Sequence, residues 1–141
     1  MPIYFHSEDI SFTLKGKKRY KKWITGVIAL EQRAPGDINV IFTSNPYLLI
    51  LNREYLNHDY NTDVITFEYN SEEKIAGDIF ISIDQVMINS EQLCIKFVNE
   101  LERVIIHGIL HLLGYNDSTD EERFIIREKE DLAINFLLTI Q

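Results

Sequence analysis

Residues 62–83 read TDVITFEYNSEEKIAGDIFISI. TDVITFEY at 62–69 and IAGDIFISI at 75–83 are rich in β-branched and aromatic residues, and the polar NSEEK joins them. That pattern predicts an antiparallel hairpin. Helical periodicity on both sides makes the hairpin part of a mixed α and β chain. Upstream, residues 2–6 suit an opening strand. Tyr20, Trp23, Ile24, Val27 and Ile28 follow the i, i+3, i+4, i+7, i+8 spacing of a helix over about 17–33. Ala34-Pro35-Gly36 is expected to stop that helix. INVIF at 38–42 alternates like a strand, and Ser44 with Pro46 opens a helix to about Tyr55.

Downstream of the hairpin the chain reads as helical from Asp84, with a break near Cys94 and a second run over about 97–113. Phe97, Leu101, Val104, Ile105 and Leu112 mark the buried face of that run. Gly114 suits a left-handed C-terminal cap. Ser118 with Glu121, or Thr119 with Glu122, makes a capping box opening a last helix to about 138. The expectation is a single small α+β domain over residues 1–141, with about four strands in a mixed sheet and four or five helices.

Composition agrees with a globular domain. The chain has 141 residues, 45% hydrophobic and 26% charged, with a net charge of −8. A length of this order buries roughly two-thirds of the unfolded surface. No apolar run reaches the ~18 residues of a membrane span, and the first residues lack a basic-then-apolar signal pattern. No membrane partner is expected. The lone Cys94 has no internal disulfide partner and fits a reducing, cytoplasmic setting. The acidic balance weighs against nonspecific nucleic-acid binding, and no DNA partner is expected. KGKKRYKK at 15–22 runs against that balance, holding six of the fourteen Lys and Arg. It reads either as a solvated helix start or as a phosphate-contacting stripe.

The chemistry concentrates at 107–117, HGILHLLGYND. His107 and His111 stand one helical turn apart on the same face, close enough to share one ion. Catalytic zinc takes three protein ligands and leaves a fourth position open, and carboxylate oxygen is an acceptable third donor. Gly114 reverses the chain after the helix, so Asp117 can return toward the histidines. The metal site is therefore expected at the end of a central helix. Two histidines in an apolar helix can also be ordinary packing, but their spacing, the glycine and the acid favour a metal. In the H-E-x-x-H motif of metalloproteases the residue after the first histidine is the general base. Here it is Gly108, which weighs against a peptidase. A mid-helix glycine costs about 1 kcal/mol relative to alanine, so a strand or a substrate is expected to approach the helix there.

HGILHLLGY resembles the signature of the YbeY family of bacterial rRNA maturation factors, H-G-x-L-H-L-x-G-Y-D-H. LNREYLNHDYNTDVITFEY at 51–69 resembles the family segment ending T-D-V-L-S-F, and GDIFIS at 77–82 resembles its G-D-I strand. The resemblance implies a zinc-dependent, single-strand-specific endoribonuclease acting in 16S rRNA 3′-end maturation and ribosome quality control. Its partners would be single-stranded RNA and the small ribosomal subunit. By position His107 and His111 match two metal histidines and Asp117 matches the third, holding one zinc per chain. Oxygen replaces nitrogen at that third ligand, which can shift metal preference. A second departure is Leu56, where the family pattern has an arginine; Arg53 is the nearby substitute.

The implied chemistry is metal-assisted phosphodiester hydrolysis. No further catalytic residue is assigned. Tyr60, Phe67, Tyr69 and Tyr115 are candidates for stacking bases, with core packing the alternative for Phe67. Asp63 and Asp78 either orient ligands or cap turns. His58 and Asp120 are rival third ligands. The competing functions are a metallohydrolase of another substrate class and a non-catalytic ribosome-assembly factor with structural zinc.

Overall fold

The computed structural model describes residues 2–141. The elements run β1 (Ile3–Ser7), α1 (Lys17–Leu30), β2 (Ala34–Thr43), α2 (Asn45–Leu56), β3 (Val64–Glu68), β4 (Lys74–Ser82), α3 (Ile83–Leu93), α4 (Phe97–Leu112) and α5 (Asp120–Leu137). The strands form one sheet in the order β1-β2-β4-β3. β1 pairs parallel to β2, β2 parallel to β4, and β3 antiparallel to β4. The hairpin read from 62–83 thus closes one side of the sheet, with β3 as the edge strand and β4 paired on both sides. The four strands and five helices among the described residues agree with the α+β mixed-sheet expectation.

Alternation along the strands sends Ile38, Val40 and Phe42 of β2, with Ile79 and Ile81 of β4, into one core. α1 closes over it with Trp23, Ile24 and Ile28, α4 with Leu101, Ile105 and Ile109, and α5 with Ala133 and Leu137. Buried Trp23 donates its indole N–H to the Ala133 carbonyl at 2.7 Å, so its one polar atom is satisfied. On the opposite face Tyr47 of α2 stacks on Phe80 and Tyr55 meets Phe67 edge-on.

Two sequence expectations shift. α1 ends at Leu30, and the turn is made by Gln32 at φ 61 in place of the Ala34-Pro35-Gly36 stop. That tripeptide begins β2, with a register shift between Pro35 and Ile38 where the ladder does without the proline N–H. The basic stretch at 15–22 also divides. Arg19 donates to the carbonyls of Leu137 and Ile140, both at 2.9 Å, which caps the C-terminal end of α5. Tyr20 is core.

α4 is the central element. Its Gly108 answers the question of what approaches: a Cβ there would lie 2.6 Å from Ile79 Cγ2, so the glycine admits a strand side chain. At its C-terminal end the Gly114 N–H reaches the His111 carbonyl at 3.0 Å and the Tyr115 N–H reaches the Leu110 carbonyl at 3.0 Å. These two bonds make a Schellman motif, and Gly114 at φ 102 is the left-handed residue it requires. The hairpin loop holds the same end: Asn70 Nδ2 donates to the Leu112 carbonyl at 2.9 Å. Thr119 and Glu122, the second of the two candidate pairs, form the capping box that starts α5.

Candidate metal centre

His107 and His111 leave α4 on one face with ring centroids 4.5 Å apart and planes at 83°. The reversal at Gly114 brings Asp117 back over them. Asp117 Oδ2 lies 3.2 Å from His107 Nε2 and 3.4 Å from His111 Nε2, and the two Nε2 atoms are 2.9 Å apart. Among the described residues this is the group of His, Cys, Asp or Glu whose atoms converge closely enough to hold an ion. Ligand bonds of about 2.0–2.1 Å at tetrahedral angles would separate donor atoms by about 3.3 Å. The triangle fits that size.

The other ring nitrogens fix the tautomers. His111 Nδ1 is 2.9 Å from the Tyr115 carbonyl, which only accepts, so the proton sits on Nδ1. His107 Nδ1 is 2.6 Å from Glu130 Oε2, a carboxylate brought in by α5. In the neutral rings both Nε2 lone pairs then face each other and the Asp117 oxygen. Such a donor set suits a cation, with outer partners orienting each imidazole. Glu130 is 4% exposed and also accepts from Arg103 Nη1 at 2.8 Å. Arg103 in turn meets Asp131 at 3.2 Å. Arg123 donates to the main-chain carbonyls of Asp117 and Ser118, at 3.2 and 3.1 Å, tying the returning loop to α5.

Electrostatics distinguishes the two rings. Burial opposes charging His107, but Glu130, Asp117 and Asp63 outweigh it and raise its pKa above the ordinary 6.5. Burial and the neighbouring His107 lower that of His111. Glu130 stays below the usual carboxylate value because bonds from His107 and Arg103 overcome its burial.

Two clefts meet at this cluster. One, of about 220 Å³, runs along α4 and α5 past Arg103, Arg123, Arg127 and Glu100. The other, of about 410 Å³, lies between the α2 C-terminus and β3, past Leu56, His58, Tyr60 and Thr66. Asp63 lines both, and burial raises its pKa. Glu100 Oε1 is buried with no hydrogen-bond partner among the described residues, and burial together with the charge of Asp63 raises the pKa of this carboxyl as well.

The remaining sequence candidates separate on position. Asp78 lies away from the cluster, accepting from Asn39 and from the Tyr69 hydroxyl, each at 3.1 Å. His58 is 3.0 Å from the Tyr60 hydroxyl and Asp120 pairs with Arg123, so neither joins the triangle. Arg53 pairs with Asp59 and lines neither cleft, whereas Leu56 does. The sequence reading missed Glu130. Its signal was an acid at i+4 from Ile126 on the buried stripe Ile126, Ala133, Leu137.

Fold and cluster together define a class: small α+β proteins with a candidate His-His-Asp metal site at the end of a buried helix. The family model described as Endoribonuclease YbeY matches residues 3–137. The Endoribonuclease YbeY of Parabacteroides distasonis is 45% identical over 137 residues, 97% of this chain and 96% of that protein. That of Flavobacterium psychrophilum is 44% identical over 123 residues, 87% of this chain and 88% of that protein. A Thermotoga maritima protein solved in solution superposes with a TM-score of 0.67 at 29% identity, covering 96% of this chain and 88% of that one. The chain belongs to the YbeY family of endoribonucleases, hydrolases that act on RNA.

Proposed function

We propose that the chain is a single-domain, zinc-dependent endoribonuclease specific for single strands, with His107, His111 and Asp117 as ligands to one zinc ion. Its setting is the cytoplasm, its substrate the 3′ end of 16S rRNA on the small ribosomal subunit, and its wider role ribosome quality control. The observation that carries the reading is the triangle of Nε2, Nε2 and carboxylate oxygen, 2.9–3.4 Å on a side, at the junction of two open clefts. When bound, a zinc ion there would activate water and offset charge on the attacked phosphate.

The chain's own residues supply the rest. Glu130 and the Tyr115 carbonyl hold the imidazoles with Nε2 turned inward. Arg123 holds the loop that carries Asp117. Arg127, 3.9 Å from Glu130 and largely exposed, stands in the α5 cleft with charge to offer a phosphate. Three protein donors favour an open catalytic position over structural zinc. Gly108 in the place of the protease glutamate weighs against peptide hydrolysis.

The test is metal analysis together with cleavage of single-stranded RNA, duplex RNA and precursor rRNA in ribosomal particles. Native protein should carry one zinc per chain and cut single strands in preference to duplex. His111→Ala should lose both metal and cutting. Metal-replete native protein that cuts none of these substrates would overturn the proposal.

A further inference from the structure

We infer that the cleft between α2 and β3 is a nucleobase subsite, in which the paired rings of His58 and Tyr60 receive one unstacked base beside the metal centre. The inference rests on the ribonuclease reading and adds the group that this side of the centre recognises.

The two rings already form the beginning of a stack. Their centroids are 5.1 Å apart with planes at 20°, and the Tyr60 hydroxyl meets His58 Nδ1 at 3.0 Å. Tyr60 remains 56% exposed, so an aromatic face is left for a third ring. Its main chain is held independently: Asn52, 1% exposed, donates Nδ2 to the Tyr60 carbonyl at 2.8 Å, and the His58 N–H donates to the Asn52 carbonyl at 3.1 Å. The stack therefore stands on a fixed backbone at the α2 C-terminus.

The cleft these rings border is about 410 Å³, within the ~300–1,000 Å³ range of small-molecule sites, and its lining extends to His107, His111 and Asp117. A phosphodiester at the metal centre would place an adjoining base in this cleft. Leu56 presents an apolar wall, while Thr62 and Thr66 add hydroxyls. Aromatic stacking accepts any base because each has a π-face, whereas a base held in a duplex cannot reach the stack. The subsite thus gives a physical source for single-strand preference. It does so with no lysine or arginine among the described residues that line this cleft, the arginines of the site lying in the other.

The other aromatics are engaged elsewhere. Tyr115 bonds Glu31 and lies under Lys129, Phe67 packs between Tyr55 and Phe80, and Tyr69 bonds Asp78.

The experiment is a cycle between protein and substrate. Short oligoribonucleotides carrying one abasic residue at successive positions are bound to metal-replete native, Tyr60→Ala and Tyr60→Phe protein. Affinity is read before cutting begins, and kcat/KM afterwards. With native protein, removing the base at one position next to the cut should weaken binding about tenfold, the equivalent of ~1.4 kcal/mol. Tyr60→Ala should weaken the intact oligonucleotide by a similar factor and be indifferent to the abasic residue at that position. Tyr60→Phe should behave as native, because the ring face stays. Metal content should be unchanged in both variants.

If abasic and Tyr60→Ala penalties simply multiply, or Tyr60→Ala binds intact RNA as well as native protein, the subsite is wrong while the ribonuclease reading stands. If native protein binds with the predicted base preference and never cuts, the subsite stands and the catalytic reading falls.

Discussion

Replacing Glu130 by glutamine probes how the metal centre is held. The carboxylate sits 2.6 Å from His107 Nδ1 and 2.8 Å from Arg103 Nη1, and the residue is 4% exposed. A hydrogen bond to a charged group contributes about 1.5–3 kcal/mol, roughly twice a neutral one. The amide keeps an acceptor for His107 but removes the charge, so Glu130→Gln should cost about 1 kcal/mol or slightly more at the ring. Metal affinity should then fall about tenfold, the lower end of the ~10–100-fold range for partners behind a ligand. Glu130→Ala removes both bonds and should reach the upper end.

Stability should fall too. Breaking a buried ion pair costs about 3–5 kcal/mol, but Arg103 keeps Asp131 and is a quarter exposed, so about 2 kcal/mol is expected for Glu130→Ala. Chelator competition reads the metal affinity and urea unfolding of the metal-free protein reads the stability. Asp131→Asn, which changes only the exposed partner of Arg103, should leave metal affinity unchanged.

The pH dependence of the metal-free protein follows from the same pair. His107 is raised, so its contribution is complete below the unfolded value of 6.5 and is lost as pH rises through the folded pKa. Glu130 is lowered, so its contribution is present above the unfolded value of 4.5 and is lost as pH falls through the folded pKa. Stabilisation by the pair should peak between about 4.5 and 6.5 and flatten in Glu130→Gln. A Glu130→Gln variant with metal affinity within twofold of native would refute the orienting role.

Three other outcomes are expected. Gly108→Ala sets a Cβ 2.6 Å from Ile79 Cγ2, and overpacking of ~1–3 kcal/mol should exceed the ~1 kcal/mol gained in helix propensity; a higher urea midpoint would contradict this. Arg127→Ala should lower the salt slope of RNA binding by about 1, the signature of one lost phosphate contact, and an unchanged slope would remove Arg127 from the RNA path. Neutralising Lys17, Lys18, Lys21 and Lys22 should leave short-RNA affinity and its salt slope unchanged, because none of the four lines either cleft. A uniform loss of affinity would revive the phosphate-stripe reading.

The fold was legible where periodicity and capping chemistry agree. α4 carries its apolar stripe and ends at a glycine in the left-handed conformation, and the β3–β4 hairpin alternates around a polar loop. The helix end after Leu30 was not legible, because Gln32 adopts a positive φ with no residue type to announce it. Nor was the strand order, since the β1–β2 and β2–β4 pairings are parallel and join segments distant in sequence. At the site, His107, His111 and Asp117 were visible because helical spacing and one reversal bring them together. Glu130 was hidden in the charged run REKED of α5, and only its place on the buried stripe of that helix marks it. Asp63 and Asp78 looked alike in sequence, but Asp63 precedes β3 and lines the clefts, whereas Asp78 lies within β4 and meets Asn39 and Tyr69.

Whether Asp117 completes the metal centre is tested most directly by zinc affinity, read by chelator competition across native, Asp117→Ala and Asp117→His proteins. Two imidazoles without the carboxylate are a poor site, so Asp117→Ala should lose affinity by at least the ~10–100-fold seen for lesser, indirect partners. Asp117→His should retain zinc, because imidazole nitrogen binds at a similar length. An Asp117→Ala protein that stays fully occupied at limiting zinc would contradict the account.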